Sequence, residues 1–229
     1  MEALPDFPHI TEEQFLDIIT RLHALCTKLT AEELQGWESS LVQFPNLSPF
    51  LRIRNFLPSA SPFQWHNLAT VPQAREDLEA EDGGIEELIE IDEEAIDRSQ
   101  SAGGEGLIRA TYDITYSPTY NVPVLHLSVQ DASGSVIMDL DHIQKLFKGL
   151  RSEMMQHVGI VGGLSPTYHP ELGTPIFFIH PCLTADAMSS LGMGENRSDY
   201  LIAWLGVVGG VVGLYVPPAV ALEATKCHS

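Results

Sequence analysis

The stretch LIRATYDITYSPTYNVPVLHLSVQ, residues 107–130, decides how the chain folds. Leu107 to Tyr116 alternates apolar and polar side chains, and Val122 to Gln130 does the same. That two-residue period belongs to half-buried strands. Between them Ser117-Pro118 opens a tight connection. Strands joined by so short a link pair antiparallel, because a parallel crossover needs a dozen or more residues.

Outward from this hairpin the pattern continues. On the N-terminal side, Trp37 to Phe44 and Phe50 to Leu57 read as two more strands, separated by Pro45-Asn46 and Ser48-Pro49 turn chemistry. Before them, Thr11-Glu12-Glu13-Gln14 forms a capping box. Phe15, Ile18, Ile19, Leu22 and Leu25, with Leu29 one turn on, then recur at helical spacing, which predicts an amphipathic helix over about 11–29. On the C-terminal side, Asp131 to Gly134 is a turn and Asp139 caps a helix over 140–149. Gly159 to Gly173, with Pro166 and Pro170, reads as loop, and Pro175 to Ile179 as a short apolar strand. Asp199 is placed to cap a last helix whose core face holds Leu201, Ile202, Trp204 and Leu205. Pro217-Pro218 is expected to stop what precedes it, leaving a frayed tail to Ser229. The order predicts one α+β domain over residues 1–229: a single antiparallel sheet flanked by helices.

Charge is unevenly placed. The 229 residues carry a net −19. Residues 75–105 hold thirteen acids against two bases and so contribute −11 of it. The excess acid disfavours nucleic acid and anionic membranes as partners. The same segment, with Gly83-Gly84 and Gly103-Gly104, reads as an acidic, flexible insert within the domain. Ile85, Leu88, Ile89, Ile91 and Ile96 give it enough apolar character for a transient helix that lies on a surface or docks a partner.

Cys26, Cys182 and Cys227 are an odd number without a CxxC pair, which argues against a disulfide framework or a structural zinc site. Met1 to Pro8 has no signal-peptide pattern. The longest apolar run, Leu201 to Val216, is glycine-interrupted and shorter than the roughly 20 residues a spanning helix needs. A cytoplasmic protein without a transmembrane segment is expected.

The chemistry concentrates in Pro175-Ile176-Phe177-Phe178-Ile179-His180-Pro181-Cys182. A cysteine between an apolar strand and a helix start stands at an edge, and the helix terminus favours its thiolate. Asp186 opposes that effect. The plain alternative is a small buried hydrophobe. A Cys–His hydrolase is a second alternative, with His169 and His180 as candidate bases. A metal site from His169, His180 and Cys182 has weak spacing, and no cofactor or metal is expected. A phosphatase is excluded, because no Arg-terminated anion loop follows Cys182.

His180-Pro181-Cys182 after a Pro-x-Phe-Phe strand resembles the active site of the autophagy ubiquitin-like-conjugating (E2-like) enzymes, in particular the branch serving autophagy modifier twelve. Three further segments carry the resemblance: Tyr116 to Leu125 with its Tyr-x-x-Pro-x-Leu pattern, His169-Pro170-Glu171-Leu172-Gly173 leading to Pro175, and Tyr200 to Leu214. It covers about residues 107–216, and the acidic insert has no counterpart in it. It implies a ubiquitin-conjugating-enzyme-like fold and a thioester on Cys182. The modifier would come from an activating enzyme, autophagy protein seven, and pass to a lysine of an acceptor, autophagy protein five. Tyr120 and Asn121 become candidates for orienting the lysine or the oxyanion, His169 for donating a hydrogen bond or bracing its loop, and His180 for bracing the turn. A lipid-conjugating relative of the protein-three type shares His-Pro-Cys, and a non-catalytic binding module on the same fold is the reading from another class.

Overall fold

The computed structural model describes residues 4–57, 108–148, 163–191 and 196–226. The predicted insert, 75–105, lies outside the described residues, as does Cys227. Helix α1 spans Glu12–Cys26, and Thr11 and Gln14 form the reciprocal capping box. It ends three residues before the expected boundary, where the Thr27 N–H closes back onto the His23 and Leu25 carbonyls. Strands β1 (Glu38–Val42), β2 (Phe50–Leu57), β3 (Ile108–Ser117) and β4 (Val122–Gln130) follow. Then come α2 (Leu140–Lys148), β5 (Leu164–Tyr168), β6 (Pro175–Ile179), a 3₁₀ turn (Pro181–Leu183) and α3 (Thr184–Leu191). The chain closes with α4 (Tyr200–Val208), a second 3₁₀ turn (Gly209–Val212) and α5 (Pro218–Lys226).

The six strands form one sheet in the order β1-β2-β3-β4-β6-β5, antiparallel throughout. Because side chains alternate along each strand, the register lines up two rows of opposite character. Ile53, Tyr112, Leu127 and Phe177 are cross-strand partners on one face. With Phe15, Ile18, Ile19 and Leu22 of α1 and Leu201, Trp204 and Leu205 of α4 they make the core. Each such side chain contributes on the order of 1.5–3 kcal/mol when fully buried. Arg52, Asp113, His126 and Phe178 are the partners one residue away, on the opposite face.

Buried hydroxyls tie the layers together. Tyr112 donates to the Val212 carbonyl at 2.8 Å and Tyr200 to the Pro8 carbonyl at 2.8 Å. Burial lifts both phenols above their usual range.

Three expectations need correction. Residues 164–168 are strand rather than loop, despite Pro166. They form the sheet's edge, where a proline is tolerated because alternate N–H groups have no strand to meet. Asp199 precedes α4 but its side chain makes no capping bond. Pro218 begins α5 instead of leaving a frayed tail. A missing N–H costs nothing at a first helical position, and the Pro217 carbonyl accepts from Val220 and Ala221. No helix among the described residues is long and apolar enough to cross a membrane; Leu201 to Val216 is broken into α4 and its 3₁₀ turn.

Candidate active site

β6, between β4 and the edge strand β5, carries the chain to the rim of the sheet, and the 3₁₀ turn begins there at once. Pro181, buried, occupies the turn's first position, where its fixed φ suits the helical bend. His180 is the N-cap: its Nδ1 accepts from the Cys182 N–H at 3.2 Å. An accepting Nδ1 puts the proton of neutral His180 on Nε2. The ring therefore holds the backbone of Cys182 while leaving the thiol outside the bond. Cys182 itself is exposed. The contrast is Cys26, which is buried in α1, where desolvation raises its thiol pKa and the Ser39 hydrogen bond offsets only part of the rise.

The His180 ring is itself held. Tyr120 meets it edge-on at 5.5 Å between ring centres, and Phe178 lies 5.8 Å away. Beside the Cys182 turn runs a groove of about 290 Å³, lined by Tyr116, Tyr120, Tyr168, Pro170, Phe178 and His180. Tyr168 is 71% exposed on its edge.

Tyr120 and Asn121 form the turn between β3 and β4, and the structure separates their surroundings. Tyr120 faces His180. Asn121, at φ +54, closes the turn: its N–H donates to the Ser117 carbonyl at 2.8 Å. Asparagine is among the few non-glycine residues that enter this region readily. Its Oδ1 accepts from the Tyr116 hydroxyl at 3.0 Å, and its carbonyl accepts from the Ile10 N–H at 2.8 Å. Its polar groups thus bind the turn to the segment before α1.

His169 is taken elsewhere. It is 1% exposed, and its Nδ1 accepts from the N–H groups of Glu171 and Leu172 at 3.1 and 3.2 Å. Its Nε2 lies 3.2 Å from Asp113 Oδ2 on the outer face of the sheet. His169 and His180 thus each commit the Nδ1 lone pair to backbone amides in a different place, which leaves neither neutral ring a free lone pair for the proton a hydrolase base must take. Among the described residues no cluster of three or more metal-ligating side chains occurs.

Asp113, Arg52, Thr115 and His126 escaped the sequence reading. Arg52 clamps Asp113 through two bonds of 2.7 Å. Burial alone would raise the Asp113 carboxyl, but the hydrogen bonds and charge of Arg52, with the hydrogen bond of His169, hold it below its ordinary value. His126 Nε2 lies 3.0 Å from the Thr115 hydroxyl. These groups pin the His169 loop, and through it the start of β6, to the sheet. Alternation in β3 and β4 gave their outward positions, but nothing in the spacing joined them to His169.

The family described as "Autophagocytosis associated protein, active-site domain" matches residues 12–219. The chain is 36% identical over 146 residues to the ubiquitin-like-conjugating enzyme ATG10 of Gibberella zeae, covering 63% of this chain and 60% of the relative. It is 28% identical over 146 residues to the ubiquitin-like-conjugating enzyme ATG10 of Homo sapiens, covering 62% and 66%. The chain thus spans under two thirds of the length of these relatives. A crystal structure of the autophagic E2 Atg10 aligns with a TM-score of 0.40 at 16% identity, covering 85% of this chain and 95% of that one.

Proposed function

The chain belongs to the autophagocytosis-associated active-site family, and from that premise we propose that it is an E2-like transferase carrying a ubiquitin-like modifier on Cys182. The observation that supports this most is the exposed thiol on a turn whose backbone is fixed by His180. The Cys182 thiolate attacks the carbonyl of the modifier's C-terminal glycine, held as a thioester on the activating enzyme, and that enzyme's thiolate leaves. A lysine amine of the acceptor then attacks the new thioester; the amine loses a proton, Cys182 leaves as thiolate, and an isopeptide bond remains. Two acyl transfers replace one difficult condensation.

The modifier is autophagy protein twelve, the activating enzyme autophagy protein seven and the acceptor autophagy protein five, and the reaction takes place in the cytoplasm. Both relatives reported above are called ubiquitin-like-conjugating enzyme ATG10, which supports this assignment. Tyr120, whose ring abuts His180, borders the thioester and orients the incoming lysine or the oxyanion. Asn121 serves by holding the turn that presents Tyr120. His180 positions Cys182, and His169 braces the loop before β6.

A charging assay with activating enzyme, modifier and ATP tests the proposal. The wild-type chain gains one modifier in a band that thiol reductant removes. Cys182→Ser gives a reductant-resistant oxyester or no adduct, while Cys26→Ser and Cys227→Ser charge as wild type. Conjugation by Cys182→Ala sinks the assignment.

A further inference from the structure

The outer face of the sheet holds a second groove, of about 670 Å³, at the opposite end of β6 from Cys182. The described residues carry nine Lys and Arg against fifteen Asp and Glu, a net −6. Against that acidic background, three arginines gather in this one place: Arg52, Arg54 and Arg109. Arg52 is consumed by Asp113. Arg54 and Arg109 are exposed, and Arg109 lies over the Phe56 ring at 5.4 Å. Glu38 is the other acid at the groove. Its apolar wall is also uncovered: Phe56, Val136 and Met138 are 46, 48 and 40% exposed. An occupant that satisfies this surface is acidic and carries aliphatic side chains among its acids.

The chain supplies such an occupant. Residues 84–97 contain seven acids, no base, and Ile85, Leu88, Ile89, Ile91 and Ile96. They belong to the connection between Leu57 and Ile108, which are cross-strand partners, so that connection leaves and returns at one point beside Phe56 and Arg109. Ten residues, 98–107, separate this segment from Ile108. A tether of this kind holds a segment at an effective concentration on the order of millimolar. We infer that residues 84–97 occupy this groove within the same chain, with carboxylates on Arg54 and Arg109 and aliphatic side chains on Phe56, Val136 and Met138. The contact is remote from the thiol and independent of the transfer reaction.

A photo-crosslinking residue placed at Met138 of the full chain reads the contact directly. In dilute protein at low salt, crosslinks form within the chain to residues 84–97. The yield falls about tenfold in Arg54→Glu/Arg109→Glu, and likewise for the unreversed chain at about 0.5 M salt, where the screening length is only some 4 Å. Adding Glu86→Lys, Glu87→Lys, Glu90→Lys and Glu93→Lys to the reversed variant restores the yield, which separates charge pairing from damage to the fold. Absence of crosslinks to 84–97, a yield indifferent to salt and charge reversal, or crosslinks only between chains overturns the inference.

Discussion

His126 stands in the outer-face row between Asp113 and Phe178, 6% exposed. Its Nδ1 has no partner among the described residues. Burial first, and His169 second, push its pKa down to about 4, and Asp113 only partly opposes them. A histidine of depressed pKa leaves the folded state short of a proton that the unfolded chain binds from about pH 6.5 downward. Stability is therefore unaffected above that pH. It falls as the pH drops toward 4, by about 3 kcal/mol for a shift of this size. Asp113, held low, adds a second loss once the pH passes below its ordinary range. His126→Gln keeps a side-chain amide for Thr115 but cannot titrate. It should remove about 3 kcal/mol of the pH 7 to 4 decline, measured as urea midpoints across that range. An unchanged decline would falsify the assignment of this acid limb to His126. The same row shows what of the site was legible. His180-Pro181-Cys182 is contiguous, so its place at a strand end could be read directly. The union of Arg52, Asp113, His126 and His169 depends on the register of β2, β3 and β4 and on one loop's fold, which no local pattern encodes.

At the scale of elements, the glycines between Leu201 and Val216 do different work. Gly209 caps α4 where the chain doubles back: its carbonyl accepts from the Leu214 N–H at 2.9 Å. A Cβ there would stand 2.2 Å from the Leu214 carbonyl oxygen, a backbone atom that cannot swing aside. Gly206 is exposed inside α4, and a Cβ on it meets nothing within 4 Å. Alanine should therefore act with opposite signs. Gly209→Ala lowers unfolding free energy by about 3 kcal/mol, while Gly206→Ala raises it by roughly 0.5–1 kcal/mol through helix propensity. Chemical denaturation of the two variants decides, and equal effects would refute the distinction. Both glycines look alike in sequence, since a close approach is a tertiary fact. The elements that were legible, α1, β1 to β4, α2, β6 and α4, have an apolar period or run and punctuated ends. β5 and α5 are not legible, because each contains a proline, Pro166 and Pro218, of the kind that ordinarily ends an element. Edge position in one and first-turn position in the other make proline harmless there.

At the scale of the molecule, the question is what the acidic segment does for the body that bears it. Leu57 pairs with Ile108, so β2 and β3 are in register whatever length of chain joins them. Removing 75–105 shortens that connection from 50 residues to 19 and lowers its closure cost by about 0.9 kcal/mol. It also takes the net charge from −19 to −8, relieving self-repulsion. Against these gains stand the contacts we infer for residues 84–97 on the outer-face groove, where exposed charge pairs with Arg54 and Arg109 are of the kind worth about 0–1 kcal/mol each. The opposing contributions are of similar size. The deletion variant should melt within about 3 °C of the full chain, equivalent to ~1 kcal/mol at this length. Cys182, at the other end of β6, should charge at an unchanged rate. Calorimetry together with the charging assay measures both. A deletion variant that fails to fold would make the segment part of the domain's core rather than an insert upon it. One that folds but no longer charges would place the segment in the encounter with the activating enzyme.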